Sequence, residues 1–180
     1  MIISLLQDLE DESIARGIPI LGQEKGMWLW NKVKKIQPER VLELGTANGY
    51  SGTILGSEGA ELITIEISPS AAQEAQENFS RFNITANILI GEGVEIVEKL
   101  TKEKKSLESF DIIFIDFAKA KYIEVLDNCL KLVKKGGFII ADNISMEGCQ
   151  NYKMAVLKHP QLKTELVRIK DGLSCSEKIR

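Results

Sequence analysis

The chain has 180 residues, 44% of them hydrophobic and 27% charged, with a formal net charge of −3. This suits one soluble domain with a sizeable core, and it gives no global attraction for nucleic acid or an anionic membrane. No apolar run approaches the ~18 residues needed to span a bilayer, and the N-terminal stretch, apolar but followed by acids and lacking a basic segment, does not read as a secretory signal.

Taken in order, residues 2–15 place Ile2, Ile3, Leu5, Leu6, Leu9 and Ile14 among acids, which predicts an amphipathic helix. This helix could supply a homodimer interface or equally pack on its own sheet. Gly17 and Pro19 break it, and a second helix is predicted over Gln23–Ile36, stopped by Pro38. Its Trp28 and Trp30 could line a pocket, although aromatic residues on a helix usually pack the core. Val41 to Leu44 reads as a strand that breaks into a glycine-bearing turn and re-enters a short helix at Tyr50, ending near Gly56 or Gly59. Glycines at 45, 49 and 52 allow a tight turn and close approach to a ligand, with free N–H groups expected at the helix entrance. The second strand is Leu62–Glu66. Ser68-Pro69 gives an N-cap and a first-turn proline for a helix through about Phe82. Asn87–Ile90 is a third strand, Val94–Leu100 a helix, and Lys99–Glu108 a solvated charged connection.

Phe110–Asp116 is a continuous apolar run ending in an acid, the pattern of a central buried strand. A helix over Tyr122–Val133 is expected to close on Lys134-Lys135-Gly136-Gly137. Phe138–Ala141 is the fifth strand, ending in Asp142-Asn143. Asn151–Lys158 is helical, and Asp171-Gly172 joins two alternating runs as a hairpin. These elements predict an α/β fold, a doubly wound, mostly parallel seven-stranded sheet with a C-terminal antiparallel hairpin. It forms one domain over residues 1–180, with a short helical cap over about residues 1–37.

In such a sheet ligands bind beyond the carboxyl ends of the strands, and there the acids collect: Glu43, Glu66, Glu92, Asp116 and Asp142. Glu66 stands where a ribose acceptor belongs in a nucleotide site. Asp116, Asp142 and Asn143 offer hard oxygen donors suited to Mg²⁺ or Ca²⁺; spacing alone supports equally a turn at Asp142-Asn143 and an N-cap at Asp116. Lys119, three residues after Asp116, is close enough to share a dication site, where repulsion and desolvation would suit it to act as a base. Lys121 is expected to point outward. The one histidine, His159, precedes Pro160 in a polar stretch and gives no support to a histidine base. Cys129, Cys149 and Cys175 are odd in number and widely spaced, as reduced thiols of a cytoplasmic protein would be.

Together VLELGTANGYS, the acid at Glu66, FIDFAK and IIADN resemble the class I S-adenosylmethionine-dependent O-methyltransferases. The branch most resembled is the metal-dependent one of the catechol and caffeoyl-CoA enzymes, over about residues 20–180. The resemblance implies a Rossmann-like methyltransferase fold. It implies that Gly45, Thr46, Gly49 and Ser51 hold the methionine part of S-adenosylmethionine with Glu43 beside them, that Glu66 binds the ribose, and that Glu92-Gly93 borders the adenine. Asp116, Asp142 and Asn143 would ligate Mg²⁺ or another divalent cation, Asp116 also lying near the cofactor's amino group, with Lys119 the base for a hydroxyl on a small catechol-like substrate. Ala118 departs from the D-A-D-K of the acyl-CoA branch, the helix after the glycine turn is short, and the acid that grips a second substrate hydroxyl has no clear counterpart. The same fold acting on a tRNA hydroxyuridine is an alternative, mildly disfavoured by the net charge. A non-catalytic cofactor-binding protein and an NAD-dependent oxidoreductase are others. The intact Asp116, Lys119, Asp142 and Asn143 speak against the first, and the turn spacing and missing Tyr-x-x-x-Lys against the second.

Overall fold

Strands and helices alternate from Arg40 onward in the computed structural model, which describes residues 2–180. Three helices come first: α1 (Ile2–Leu5), α2 (Gln7–Ala15) and α3 (Gln23–Ile36). Then follow β1 (Arg40–Leu44), α4 (Tyr50–Gly56), β2 (Glu61–Glu66), α5 (Pro69–Arg81), β3 (Ala86–Ile90) and α6 (Gly93–Lys102). The second half holds β4 (Phe110–Ile115), α7 (Tyr122–Leu132), β5 (Val133–Asp142), α8 (Gln150–Lys158), β6 (Leu162–Val167) and β7 (Leu173–Lys178).

The seven strands form one sheet in the order β3-β2-β1-β4-β5-β7-β6. The first five pair in parallel, while β7 runs antiparallel to both β5 and β6. Helices cover both faces, which is why the central strands are apolar on both sides rather than alternating with polar residues. On one face Leu42, Leu44, Ile113 and Ile115 pack with Val125, Leu126 and Cys129 of α7 and with Tyr152 and Val156 of α8. On the other, Val41, Leu62, Ile112 and Phe114 pack with Leu29, Val33, Ile54 and Phe79. The period-two pleat places Glu43 on this second face, the only acid among the buried residues of β1.

Two expectations are corrected. The first helix is interrupted at Leu6, whose side chain is buried with Ile3 and Leu9 against the chain's own core. The second concerns Lys134-Lys135-Gly136-Gly137, which does not cap α7 but belongs to β5. Val133 already turns extended, and the pairing with β4 shifts register between Phe110 and Ile112, leaving residues 134–137 as a bulge. Gly136 takes a left-handed φ of 80°, and Lys134 is tied back to Asp111 at 2.8 Å. No helix among the described residues is long and apolar enough to cross a membrane.

Candidate active site

A cavity of about 350 Å³ opens at the carboxyl ends of β1, β2, β3 and β4. Order 3-2-1-4 reverses direction between β1 and β4, and a crevice at that reversal is where doubly wound sheets bind ligands. One wall is the β1–α4 turn, with Gly45, Thr46, Ala47 and Asn48. Glu66 ends β2 and Ile67 follows it, and Gly91, Glu92 and Gly93 follow β3. The segment Asp116–Lys119 follows β4, and Pro19–Leu21 cover the cavity from the N-terminal side.

Close approach fixes the glycine at the head of the turn. Gly45 has φ 100°, and a Cβ there would lie 2.0 Å from the backbone oxygen of Asp116. Gly49, with φ 88°, is not on the cavity wall; a Cβ there would meet the Phe79 ring at 3.0 Å, so it serves the packing of α5. The free amides expected in this turn are mostly taken. Gly45 and Thr46 donate to Ile65 O, Gly49 donates to Thr46 O, and Ala47 donates to Glu66 Oε2 at 2.8 Å. Glu66 also accepts from the Ser68 amide at 2.9 Å, so its carboxylate is held rigidly at the cavity edge. Asn48, quoted within the glycine motif but given no role from sequence, is 2% exposed and donates to Ser13 Oγ at 2.7 Å. Its Oδ1 is buried with no partner on this wall, an acceptor suited to a ligand's ammonium group.

Glu43 lies behind the wall rather than on it, fully buried beneath Thr46 and Ser51. Ser51 Oγ donates to its Oε1 and Thr64 Oγ1 to its Oε2, each at 2.6 Å. Thr64 is its register partner on β2, which explains the contact. Burial pushes the Glu43 carboxyl up to about 8; the two hydroxyl bonds pull it down, while Asp116 and Glu66 push it further up.

The other end of the site is ionic. Lys119 Nζ donates to Asp116 Oδ1 at 2.5 Å, and both residues line the cavity. Next along the sheet edge, Asp142 is 3% exposed, and its Oδ1 accepts from Lys25 of α3 and from the Asn143 amide at 2.7 Å. Lys25 also pairs with Asp171 in the β6–β7 turn, and Asn143 Nδ2 donates to the other Asp171 oxygen at 2.5 Å. Burial first, and the Asp116 charge second, raise the Asp142 carboxyl to about 6 even with Lys25 attached. Asp116 and Asp142 each keep one oxygen without a protein donor, and all the donors here are of the hard oxygen type that Mg²⁺ or Ca²⁺ takes; of the three expected ligands only Asp116 is on the cavity wall, with Asp142 and Asn143 one strand further along the edge. Among the described residues no cluster of three His, Cys, Asp or Glu could hold a metal, so such a site would consist of two carboxylates and one amide.

One expectation fails here, and one open choice is decided for core packing. Lys121 does not point away; it lines the cavity and pairs with Glu92 Oε1 at 2.8 Å, while Glu92 also caps α6 through the Glu95 amide. Trp28 and Trp30 lie off the cavity wall, partly buried against the core on the α3 side. Lys25 gave no signal in the sequence, being one lysine among several on an amphipathic helix. Asp171 was legible only as a turn residue.

The strand order, the crevice at its reversal and the acid that ends β2 define a Rossmann-like domain of the kind that binds nucleoside-bearing ligands. The chain belongs to the O-methyltransferase family, whose sequence profile matches residues 4–179. It is 32% identical over 171 residues to catechol O-methyltransferase B of Danio rerio, covering 87% of this chain and 64% of that protein. It is 33% identical over 139 residues to a catechol O-methyltransferase of Niastella koreensis, covering 73% of this chain and 62% of that one. The chain thus spans a little under two thirds of the length of these relatives. In structure it is similar to an O-methyltransferase from Bacillus cereus solved in complex with SAH, with a TM-score of 0.87, 23% identity and coverage of 97% and 90% of the two chains.

Proposed function

We propose that this protein transfers a methyl group from S-adenosylmethionine to one hydroxyl of a small, catechol-like molecule with the help of a divalent cation such as Mg²⁺. The observation that carries the reading is the Lys119–Asp116 pair on the cavity wall, beside the strand end that presents Asp142 and Asn143. The names of the relatives support the substrate class. The three free, buried cysteines suit a reducing, cytoplasmic setting.

The residues fit both the cofactor and the cation. Asn48 Oδ1 offers an unpaired acceptor, Glu66 a fixed carboxylate for a ribose diol, and the Glu92–Lys121 pair a polar border at the far end. Asp116, Asp142 and Asn143 would hold the cation through oxygens that Lys119, Lys25 and Asp171 leave uncommitted. The cofactor supplies an electrophilic methyl on a sulfonium, and the cation supplies Lewis acidity toward the acceptor hydroxyl. Lys119 takes the proton of that hydroxyl. Lys119 Nζ donates to Asp116 on the cavity wall, so the carboxylate that would hold the cation also orients the amine. The strand ends that carry these residues would hold acceptor and donor in a fixed relation, and positioning of this kind can supply much of the rate.

Calorimetric titration with S-adenosylhomocysteine, followed by a catechol with and without Mg²⁺, tests the proposal. Catechol binding that requires Mg²⁺ and is lost in Asp142→Ala is the expected result. Lys119→Ala should lower kcat about 10²-fold or more while leaving cofactor affinity unchanged. Cofactor binding without any metal-linked step would refute the metal reading, and equal loss of kcat and cofactor affinity would remove Lys119 as the base.

A further inference from the structure

The margins of the sheet are β3 and β6, and among the described residues neither has a further strand beside it. β6 pairs with β7 residue for residue over Leu162–Val167, so no bulge bends its free side away from a neighbour. Ile179 N–H donates to Gln161 O at 2.9 Å, and these two residues continue the register of Leu162 with Lys178. Hydrogen-bonded positions in an antiparallel pair recur at every second residue, so residues 163, 165 and 167 turn their N–H and C=O groups to β7. Leu162, Thr164 and Leu166 therefore turn theirs outward. The Leu162 amide is taken by His159 O at 3.1 Å, which leaves the Leu162 carbonyl and both backbone groups of Thr164 and Leu166 open. On the α8 face of the strand, Thr164 Oγ1 lies 2.8 Å from Val156 O, and Leu166 is 37% exposed. On the other face Lys163 and Glu165 are exposed, and among the described residues neither is in an ion pair.

We propose that the β6 edge is the interface for a second copy of this chain, joined antiparallel about a two-fold axis through Thr164. Such pairing must set outward groups against outward groups, which leaves few registers. An axis at residue 163 puts Lys163 against itself, and one at residue 165 does the same to Glu165; like charges directly opposite are destabilising. An axis at Leu166 overlaps only residues 165–167 within the strand. The axis at Thr164 instead sets Lys163 opposite the partner's Glu165 on both sides of the axis, in the non-hydrogen-bonded position where side chains stand closest. Thr164 then exchanges backbone bonds with its own copy, and each Leu162 carbonyl accepts from the partner's Leu166 amide. On the α8 face the same register lays the exposed Leu166 against the partner's Leu162. A lysine on an edge strand ordinarily guards against pairing, but here the residue that meets it is an acid. β3 has no charged residue in Ala86–Ile90, so nothing there selects a register in the same way. The β6 contact uses the same patch on both copies, so it closes at two chains and leaves β6 no free edge.

Sedimentation equilibrium of the intact protein, from micromolar to millimolar concentration, tests the interface and should fit a single monomer–dimer equilibrium. Glu165→Lys sets lysine against lysine at both ends of the pairing and should raise the dissociation constant about tenfold or more. Exchanging the two charges, Lys163→Glu together with Glu165→Lys, should bring it back. Thr164→Cys should give a disulfide-linked dimer on oxidation, because hydrogen-bonded opposites lie about 5.5 Å apart at Cα, and the three native cysteines are all buried. Leu166→Cys, off the axis, should not cross-link. Lys163 and Glu165 are exposed, so the charge variants leave the core untouched, and they decide the matter even if Thr164→Cys does not fold. A monomer at every concentration overturns the inference, as does a dimer that is indifferent to Glu165→Lys or is not restored by the exchange. A series of larger oligomers overturns it too, since a two-fold contact closes at two.

Discussion

Gly45→Ala measures how tightly the glycine turn is pressed against the strand beside it. A Cβ at this position would sit 2.0 Å from Asp116 O and 2.7 Å from its carbonyl carbon, where ordinary contact begins near 3.4 Å. Both atoms are backbone, so no side chain can swing aside. Relief requires β1 and β4 to part by more than ~1 Å, which breaks the Asp116 N–H to Leu44 O bond of 2.8 Å. Overpacking of this kind costs about 1–3 kcal/mol. The left-handed φ of 100° costs about 1–2 kcal/mol for alanine. The lost bond brings the expected destabilisation to about 3–5 kcal/mol. Gly59→Ala is the control: φ there is 88° but nothing lies within 4 Å, so only the backbone strain of about 1–2 kcal/mol remains. Urea unfolding of both variants, with midpoints compared at equal m-values, gives the difference directly. Equal losses in the two would refute the close approach. Displaced Asp116 should also weaken any ligand that depends on it, so the variant's cofactor affinity is informative in the same samples.

Three further outcomes follow from buried charges. The folded carboxyl of Glu43, at about 8, lies above its ordinary value of 4.5. The folded chain therefore binds a proton that the unfolded chain has released, and stability falls as pH rises from about 4.5 through 8, by a sum on the order of 5 kcal/mol. Glu43→Gln should remove that decline, and a pH series of thermal melts identical to the unaltered protein's would contradict it. Lys25→Met leaves Asp142 buried without its cation and should cost about 3–5 kcal/mol near pH 8, less near pH 5, where Asp142 takes a proton; a pH-independent loss would show that the pair is not what matters. Lys178 is 5% exposed and donates to Leu130 O at 2.9 Å and Val133 O at 3.0 Å. Lys178→Met should lose about 1–3 kcal/mol for each carbonyl left unpaired, read by denaturant unfolding.

The parallel half of the sheet was legible because its strands are short apolar runs that end in punctuation: Gly45 after β1, Ser68-Pro69 after β2, Gly91 after β3 and Asp116 after β4. Local chemistry alone sets such boundaries. The Lys134–Gly137 stretch was misread because two glycines after two lysines look like a helix terminus, while the register shift against β4 that makes them a bulge depends on a partner strand the local pattern does not show. The same limit applies at the site. Glu43, Glu66, Asp116 and Asp142 could be gathered because each ends or occupies a strand of one sheet. Lys25 and Asp171, 146 residues apart, meet only because α3 crosses over the β5 end while the β6–β7 turn comes back to it. Lys121 is expected to point outward, but a turn of 3₁₀ helix over Lys119–Lys121 brings it round toward Glu92.

The place of β7 sets the order in which this molecule can be completed. β6 precedes it in the chain yet pairs only with β7, and β5 has no other neighbour on that side. During synthesis, until residues 173–178 emerge, β5 presents an open edge of unpaired backbone and β6 has nothing to join, a state that invites pairing between separate chains. Asp171 arrives just before that last strand, and with it the second contact of Lys25 and the bond that turns the Asn143 amide. The acidic rim thus depends on the C-terminal hairpin, whereas every residue lining the cavity lies at or before Lys121. Nascent chains halted before Leu173 should bind S-adenosylhomocysteine more readily than they bind a metal ion, and should aggregate through the β5 edge.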